Sequence, residues 1–208
     1  NPAELEAVCG AGVTTGELQS RAAALGLFYP PDPSSQSVTM LGGNAATNAG
    51  GAHALKYGVT RDYVIALEVA LASGEIIQVE RGTGSEPLLD LFIGSEGTLG
   101  VITKVLLKLI PKPQVKKTMV ATFDQMDKAA DAVSAIIAEQ IIPCTLEFLD
   151  RTTIHCVEDY AKIGLPLDCE ALLLMETDGH PAVVAEEAAA MERVCREQGA
   201  KEVRVAKN

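Results

Sequence analysis

The chain has 208 residues, 48% hydrophobic and 22% charged, a composition that folds into a globular protein and excludes disorder. Twenty-eight acidic against 17 basic residues give a net charge of −11, which disfavours nonspecific binding to nucleic acid or an anionic membrane. That charge does not disfavour an anionic cofactor held by backbone N–H groups.

No apolar run approaches the ~20 residues of a membrane-spanning helix, so no transmembrane segment is expected. Cys9, Cys144, Cys156, Cys169 and Cys195 are scattered and form no C-x-x-C pair, which argues against a zinc site or redox dithiol. Buried, reduced thiols in a cytoplasmic protein are the expectation.

In chain order, Thr14 and Glu17 have capping-box spacing ahead of a helix whose Leu18, Ala22 and Leu25 share a face; Gly26 suits its left-handed stop. Pro30-Pro31-Asp32-Pro33 is extended. Strands are predicted from Tyr63 to Leu71 and from Ile76 to Val79, joined by a turn at Ala72-Ser73-Gly74-Glu75. Val101, Val105, Leu107 and Leu109, with Lys104 and Lys108 on the opposite parity, predict a longer strand with one wetter face. Pro111-Lys112-Pro113 blocks regular structure and divides the chain into 1–112 and 113–208.

Beyond that linker a strand from Thr118 to Phe123 meets Asp124, a good N-cap for a helix with Met126, Ala130, Val133 and Ile137 on one face. A strand from Cys144 to Leu149, a short helix, a strand from Ala171 to Glu176 and a helix carrying Val184, Ala188, Met191 and Cys195 follow. Gly199 ends that helix before a short strand at Glu202 to Val205. Strand–helix–strand twice over predicts the split arrangement of a ferredoxin-like α+β sandwich.

Two glycine clusters carry the functional signal. Leu41-Gly42-Gly43-Asn44-Ala45-Ala46-Thr47-Asn48-Ala49-Gly50-Gly51 has the means to turn through positive φ and line up N–H groups as a nest for a pyrophosphate, with Thr47 and Asn48 adding side-chain bonds. The alternative is a tight structural loop packed on a helix. The P-loop lysine and the Rossmann glycine pattern are both missing. Gly94-Ser95-Glu96-Gly97-Thr98-Leu99-Gly100-Val101-Ile102 leads into a strand, where exposed backbone groups suit the edge of a planar heterocycle; a glycine-rich strand crossing is the alternative.

Together with Pro30-Pro31-Asp32-Pro33-Ser34-Ser35 and Lys56-Tyr57-Gly58, these clusters resemble, in order and spacing, the FAD-binding domain of the vanillyl-alcohol oxidase/PCMH-type superfamily. Within it the resemblance is to the group of glycolate oxidase flavoprotein subunits and D-lactate dehydrogenases. Pro143 to Leu149 and Glu170 to Gly179 resemble that group's cap domain. The resemblance implies an α+β chain: the second half of a PCMH-type FAD-binding domain over 1–112, then an incomplete ferredoxin-like cap over 113–208. It implies FAD contacts from Pro33, Ser34, Ser35, Thr39, Gly42, Gly43, Thr47, Asn48, Gly50, Gly51, Glu96, Gly97, Gly100, Val101 and Ile102. It also implies oxidation of a small 2-hydroxy acid by hydride transfer to the flavin, with electrons passed on to accessory subunits or another acceptor.

Measured against that family, the earlier FAD subdomain and the later histidine-rich, metal-binding segment are missing, and 79–88 is a few residues short. The chain is therefore expected to be a middle piece that alone holds FAD poorly and turns nothing over. No catalytic residue is assigned, and no two histidines have metal-ligand spacing. His53 either faces the flavin or is a solvated loop residue; Asp62 is either a base or a turn carboxylate. A Gly50→Val change is expected to close the backbone to FAD while sparing the fold. The competing function is a non-catalytic α+β module binding a partner or small ligand.

Overall fold

A computed structural model describes residues 1–206, which pack as two compact units, Asn1–Lys112 and one beginning at Pro113. In chain order the first holds β1 (Glu6–Gly10), α1 (Thr15–Ala24), β2 (Leu27–Phe28), α2 (Leu41–Thr47), α3 (Ala54–Tyr57), a 3-10 turn (Thr60–Asp62), β3 (Val64–Ala70), β4 (Ile76–Glu80), α4 (Glu86–Phe92), β5 (Val101–Lys108) and β6 (Ile110–Pro111). Its main sheet is antiparallel in the order β1-β5-β3-β4. Leu18, Ala22, Leu41, Ala45, Leu67, Val69, Leu89, Phe92, Val105 and Leu107 form one core between the helices and that sheet.

Thr14 caps α1 as its spacing predicts, accepting from the Glu17 N–H at 3.3 Å, and Gly26 follows the helix at φ +71°. Leu25, expected on the buried face, is instead the C-cap residue and is exposed. In β5 the expected alternation holds from Leu109 back to Val105 and then slips. Glu68 pairs with Lys104 but Val69 pairs with Ile102, so Thr103 is an extra residue, and the bulge turns Ile102 inward and Val101 outward.

The second unit runs β7 (Val115–Phe123), α5 (Met126–Ala138), β8 (Thr145–Asp150), α6 (Arg151–Ala161), β9 (Ala171–Gly179), α7 (Pro181–Glu197) and β10 (Glu202–Val205). The sheet order β10-β7-β9-β8, antiparallel throughout, is the split βαβ arrangement expected, with α6 inserted between the second and third strands. Core residues Met119, Ala121, Phe123, Leu173 and Met175 of the sheet meet Ala129, Ala132 and Ile136 of α5 and Ala188, Met191 and Cys195 of α7.

The buried stripe of α5 is rotated from the expected one: Met126 and Ile137 are exposed, and Ala129 and Ala132 face the sheet. The buried line is Ala129, Ala132 and Ile136, and its two alanines permit a close helix–sheet approach over the first half of the helix. The helix also starts later than expected, after Gln125. Asp124 therefore caps nothing and instead lies 3.4 Å from the Lys201 ammonium.

Candidate functional site

Leu41–Thr47 is helical rather than a nest: none of Gly42, Gly43, Gly50 and Gly51 has positive φ. Five of the seven residues Leu41 to Thr47 are Leu, Ala, Asn or Thr, and the helix is anchored by its apolar side, Leu41 and Ala45 being almost wholly buried. Asn44 is buried too, its amide donating to Thr15 Oγ1 (2.6 Å) and its carbonyl oxygen accepting from Thr39 Oγ1 (2.7 Å). That pairing uses both polar ends of Asn44, which satisfies the cost of burying them. Thr39 thus serves the frame of the site.

The positions that a side chain would occupy separate the glycines into two kinds. A Cβ on Gly42 would meet the Ala11 Cβ at 2.5 Å; on Gly50, the Val59 Cγ1 at 3.1 Å; on Gly51, the Asp32 carbonyl; on Gly100, the Val69 Cγ1 at 2.6 Å. Gly42 and Gly51 of the first cluster and Gly100 of the second are glycine so that protein can approach protein, while a Cβ on Gly50 would only require Val59 to give by a few tenths of an ångström. The Gly50→Val expectation is corrected accordingly, since the new side chain would press on Val59 and Ala54. Gly43 and Gly97, by contrast, face open space. Gly43 and Thr47 are exposed one helical turn apart, with the Thr47 hydroxyl donating back to the Gly43 carbonyl at 3.0 Å.

The second cluster does turn through positive φ, at Gly94 (+86°), Glu96 (+52°) and Gly97 (+76°). It is tied to the end of α2: the Gly94 N–H donates to Ala45 O at 3.0 Å and the Glu96 N–H to Ala46 O at 2.8 Å. The two glycine clusters, 50 residues apart in places, therefore meet at the C-terminal end of α2. Among the described residues the N–H groups of Gly43, Gly50 and Gly97 donate to no backbone carbonyl. Ser34 and Ser35 lie exposed in the turn where Gln36 and Val38 donate to Pro33 O and Ser35 O. Asn48 ends α2 in the left-handed conformation (φ 51°), its Oδ1 accepting from the Arg61 N–H. Ile102 points into the core, so only its main chain is available to a ligand, while Val101 is exposed.

Unspent N–H donors beside small residues, with hydroxyls at their margin, fit the anionic and heteroaromatic parts of a flavin dinucleotide. The surface is open. A cavity of about 340 Å³ beside β1 and α1, lined by Val8, Leu18, Leu25 and Leu27 among others, includes none of these residues.

His53 is not a solvated loop residue. Its Nδ1 lies 2.9 Å from Asp32 Oδ2, its N–H donates to Asp32 Oδ1, and its ring meets Phe28 and Tyr57 edge-on. Asp62 accepts from the Val59 N–H at 2.7 Å and closes the turn around Gly58, which is a turn role. The neighbouring Tyr63 hydroxyl donates to Tyr57 O, and burial, helped by the Asp62 charge, pushes its pKa up to about 12. Sequence reasoning missed α4 as a helix, and it missed Arg61, whose partners Asn48, Asp90 and Ile93 are brought together only by the fold.

In the second unit Glu147 is exposed, whereas Glu176 is a partly buried hub contacted by Lys116, Thr118 and Thr145. Burial would raise its pKa, but the Thr118 hydroxyl, the Lys116 ammonium and the Thr145 hydroxyl prevail and hold the carboxyl below its ordinary value.

No helix is long and apolar enough to cross a membrane among the described residues. Residues 1–80 match the family described as FAD binding domain, and residues 112–208 match FAD linked oxidases, C-terminal domain. The chain is 48% identical over 206 residues to the glycolate oxidase subunit GlcD of Bacillus subtilis, covering 97% of this chain and 44% of that protein. It is 38% identical over 179 residues to the D-lactate dehydrogenase of Anaerostipes hadrus, covering 81% and 38% respectively. An alkyldihydroxyacetonephosphate synthase structure superposes with a TM-score of 0.86 over 100% of this chain and 42% of its own at 21% identity, a likeness of fold. The chain thus spans less than half the length of the curated relatives it matches. With one family matched on each side of the linker, the chain belongs to the FAD-linked oxidases.

Proposed function

We propose that this chain is the FAD-binding portion of an oxidoreductase that converts a small 2-hydroxy acid, of the glycolate or D-lactate type, to the 2-oxo acid. The first unit is the FAD-binding part and the second the cap on the substrate side. The observation that carries the reading is the meeting of the C-terminal end of α2 with the Gly94–Gly97 turn, where Gly94 and Glu96 donate to the Ala45 and Ala46 carbonyls, in a region where the N–H groups of Gly43, Gly50 and Gly97 have no backbone acceptor among the described residues. The relatives' names, glycolate oxidase subunit and D-lactate dehydrogenase, support the substrate class.

When bound, the flavin supplies the hydride acceptor that no amino-acid side chain provides. Gly43, Thr47, Gly50 and Gly97 would hold it, with Ser34 and Ser35 at the margin. Thr39, Asn44, Gly42, Gly51 and Gly100 would hold the elements that present it. Electrons leave to an accessory subunit, in keeping with the word subunit in the GlcD name. Cys9, Cys169 and Cys195, buried and without a disulfide, favour a reducing, cytoplasmic setting.

The test is the full-length protein, reconstituted with FAD and assayed on glycolate, D-lactate and other 2-hydroxy acids with a dye acceptor. A flavin spectrum that bleaches on adding one of them supports the reading. A colourless protein that cannot be reconstituted refutes it.

A further inference from the structure

Arg61 belongs to neither glycine cluster, yet it touches both. Its main-chain N–H donates to Asn48 Oδ1 at 2.9 Å, securing the left-handed residue that ends α2. Its guanidinium, one-third exposed, spans the C-terminal end of α4. Nη1 donates to the Asp90 carbonyl (3.0 Å) and carboxylate (2.9 Å), and Nη2 to the Ile93 carbonyl at 2.6 Å. Ile93 immediately precedes Gly94, where the chain turns to meet the carbonyls of α2. A Cβ added to Gly94 would stand 3.7 Å from the Asn48 Cβ and 3.8 Å from Arg61 Nη2, so the three converge at one point.

A planar fork with donors at fixed spacing reaches a carboxylate and two carbonyls together; an ammonium does not. The fold has other means of holding α4. Leu89, Phe92 and Ile93 are buried, and Arg81 reaches the Val64 carbonyl (2.9 Å) and the Asp90 carboxylate (3.5 Å). Removing the Arg61 side chain therefore removes a spacing device and leaves the packing.

We propose that Arg61 is a positioning residue for the flavin, setting the distance between the α2–Gly51 segment and the Gly94–Gly97 turn by joining Asn48 to the Ile93 carbonyl. The inference rests on the reading of these two segments as the FAD cradle.

The experiment compares Arg61→Ala, Arg61→Lys and Gly43→Arg in the full-length flavoprotein. It measures the FAD dissociation constant by fluorescence titration, the bound flavin's visible band positions and the apoprotein's melting temperature. Arg61→Ala is expected to weaken FAD at least tenfold and shift the flavin band, with the apoprotein melting within about 3 °C of the parent. Arg61→Lys should fall between. If Arg61→Ala does not fold, Arg61→Lys decides: FAD weakened at least threefold with a shifted band supports the role, and anything less overturns it. FAD bound within twofold of the parent by Arg61→Ala, while Gly43→Arg loses it, overturns the positioning role alone. FAD retained by Gly43→Arg as well overturns the cradle and the inference with it.

Discussion

Gly43→Ala should raise the stability of the apoprotein and lower its affinity for FAD. Gly43 lies inside α2, outside the positive-φ region, and nothing stands within 4 Å of where a Cβ would be built. Exchanging Gly for Ala inside a helix stabilises by up to about 1 kcal/mol, partly by restricting the unfolded chain. For a protein of this size that is a rise of about 2–4 °C in melting temperature, less in a longer parent. With the dinucleotide resting on this surface, the same methyl is an overpacked contact costing about 1–3 kcal/mol, or roughly five- to 150-fold in affinity. Scanning fluorimetry of the apoprotein and a fluorescence titration with FAD read the two effects separately. Gly42→Ala is the control, because its Cβ would collide with Ala11 and should destabilise the apoprotein. Unchanged FAD affinity in both Gly43→Ala and Gly43→Leu would refute the assignment of the α2 outer face to the cofactor.

Glu176→Gln should lower the melting temperature near pH 7. A carboxylate whose pKa is depressed on folding stabilises above its unfolded value, and that stability fades as pH falls through the folded one. The gap between parent and variant should therefore close progressively below about pH 4.5; a gap constant down to pH 3 contradicts the Lys116–Thr118–Thr145 brace. Among the described cysteines Cys156 is exposed, while burial pushes Cys195 to about 11 and raises Cys9 and Cys169, so brief alkylation at pH 8 followed by peptide mass mapping should modify Cys156 first. Asp150 caps α6 by accepting from the Thr153 N–H at 2.7 Å, and Asp150→Ala should cost about 1 kcal/mol in a denaturant melt.

What the sequence made legible follows from how local each signal is. The α1 cap at Thr14, the stops at Gly26 and Gly199, and the alternation of β5 beyond the bulge are set by neighbours a few residues away, and they stand as expected. The stripe of α7 was readable because Val184, Ala188, Met191 and Cys195 recur at helical spacing, and all four are buried. In α5 the periodic apolar line of Met126 and Ile137 competes with a second line, Ala129, Ala132 and Ile136, and it is the second that packs on the sheet. The bulge at Thr103 and the partners of Arg61 have no local signature, since each is defined by a strand or helix distant in sequence. The same holds for the His53–Asp32 pair, 21 residues apart.

The glycine segment shows why its composition alone left two readings open: both apply, to different residues. Gly42 brings α2 against Ala11, Gly51 brings the following loop against Asp32, and Gly100 brings β5 against Val69 and Ala70. With those approaches made, the end of α2 lies close enough to accept from Gly94 and Glu96, which joins the two glycine segments. A side chain at an inward glycine should therefore damage stability and FAD binding together. A side chain at Gly43 should damage binding alone, whereas one at Gly97, where φ is +76°, also strains the turn; the ratio of the two losses, position by position, maps which glycines build the cradle and which line it.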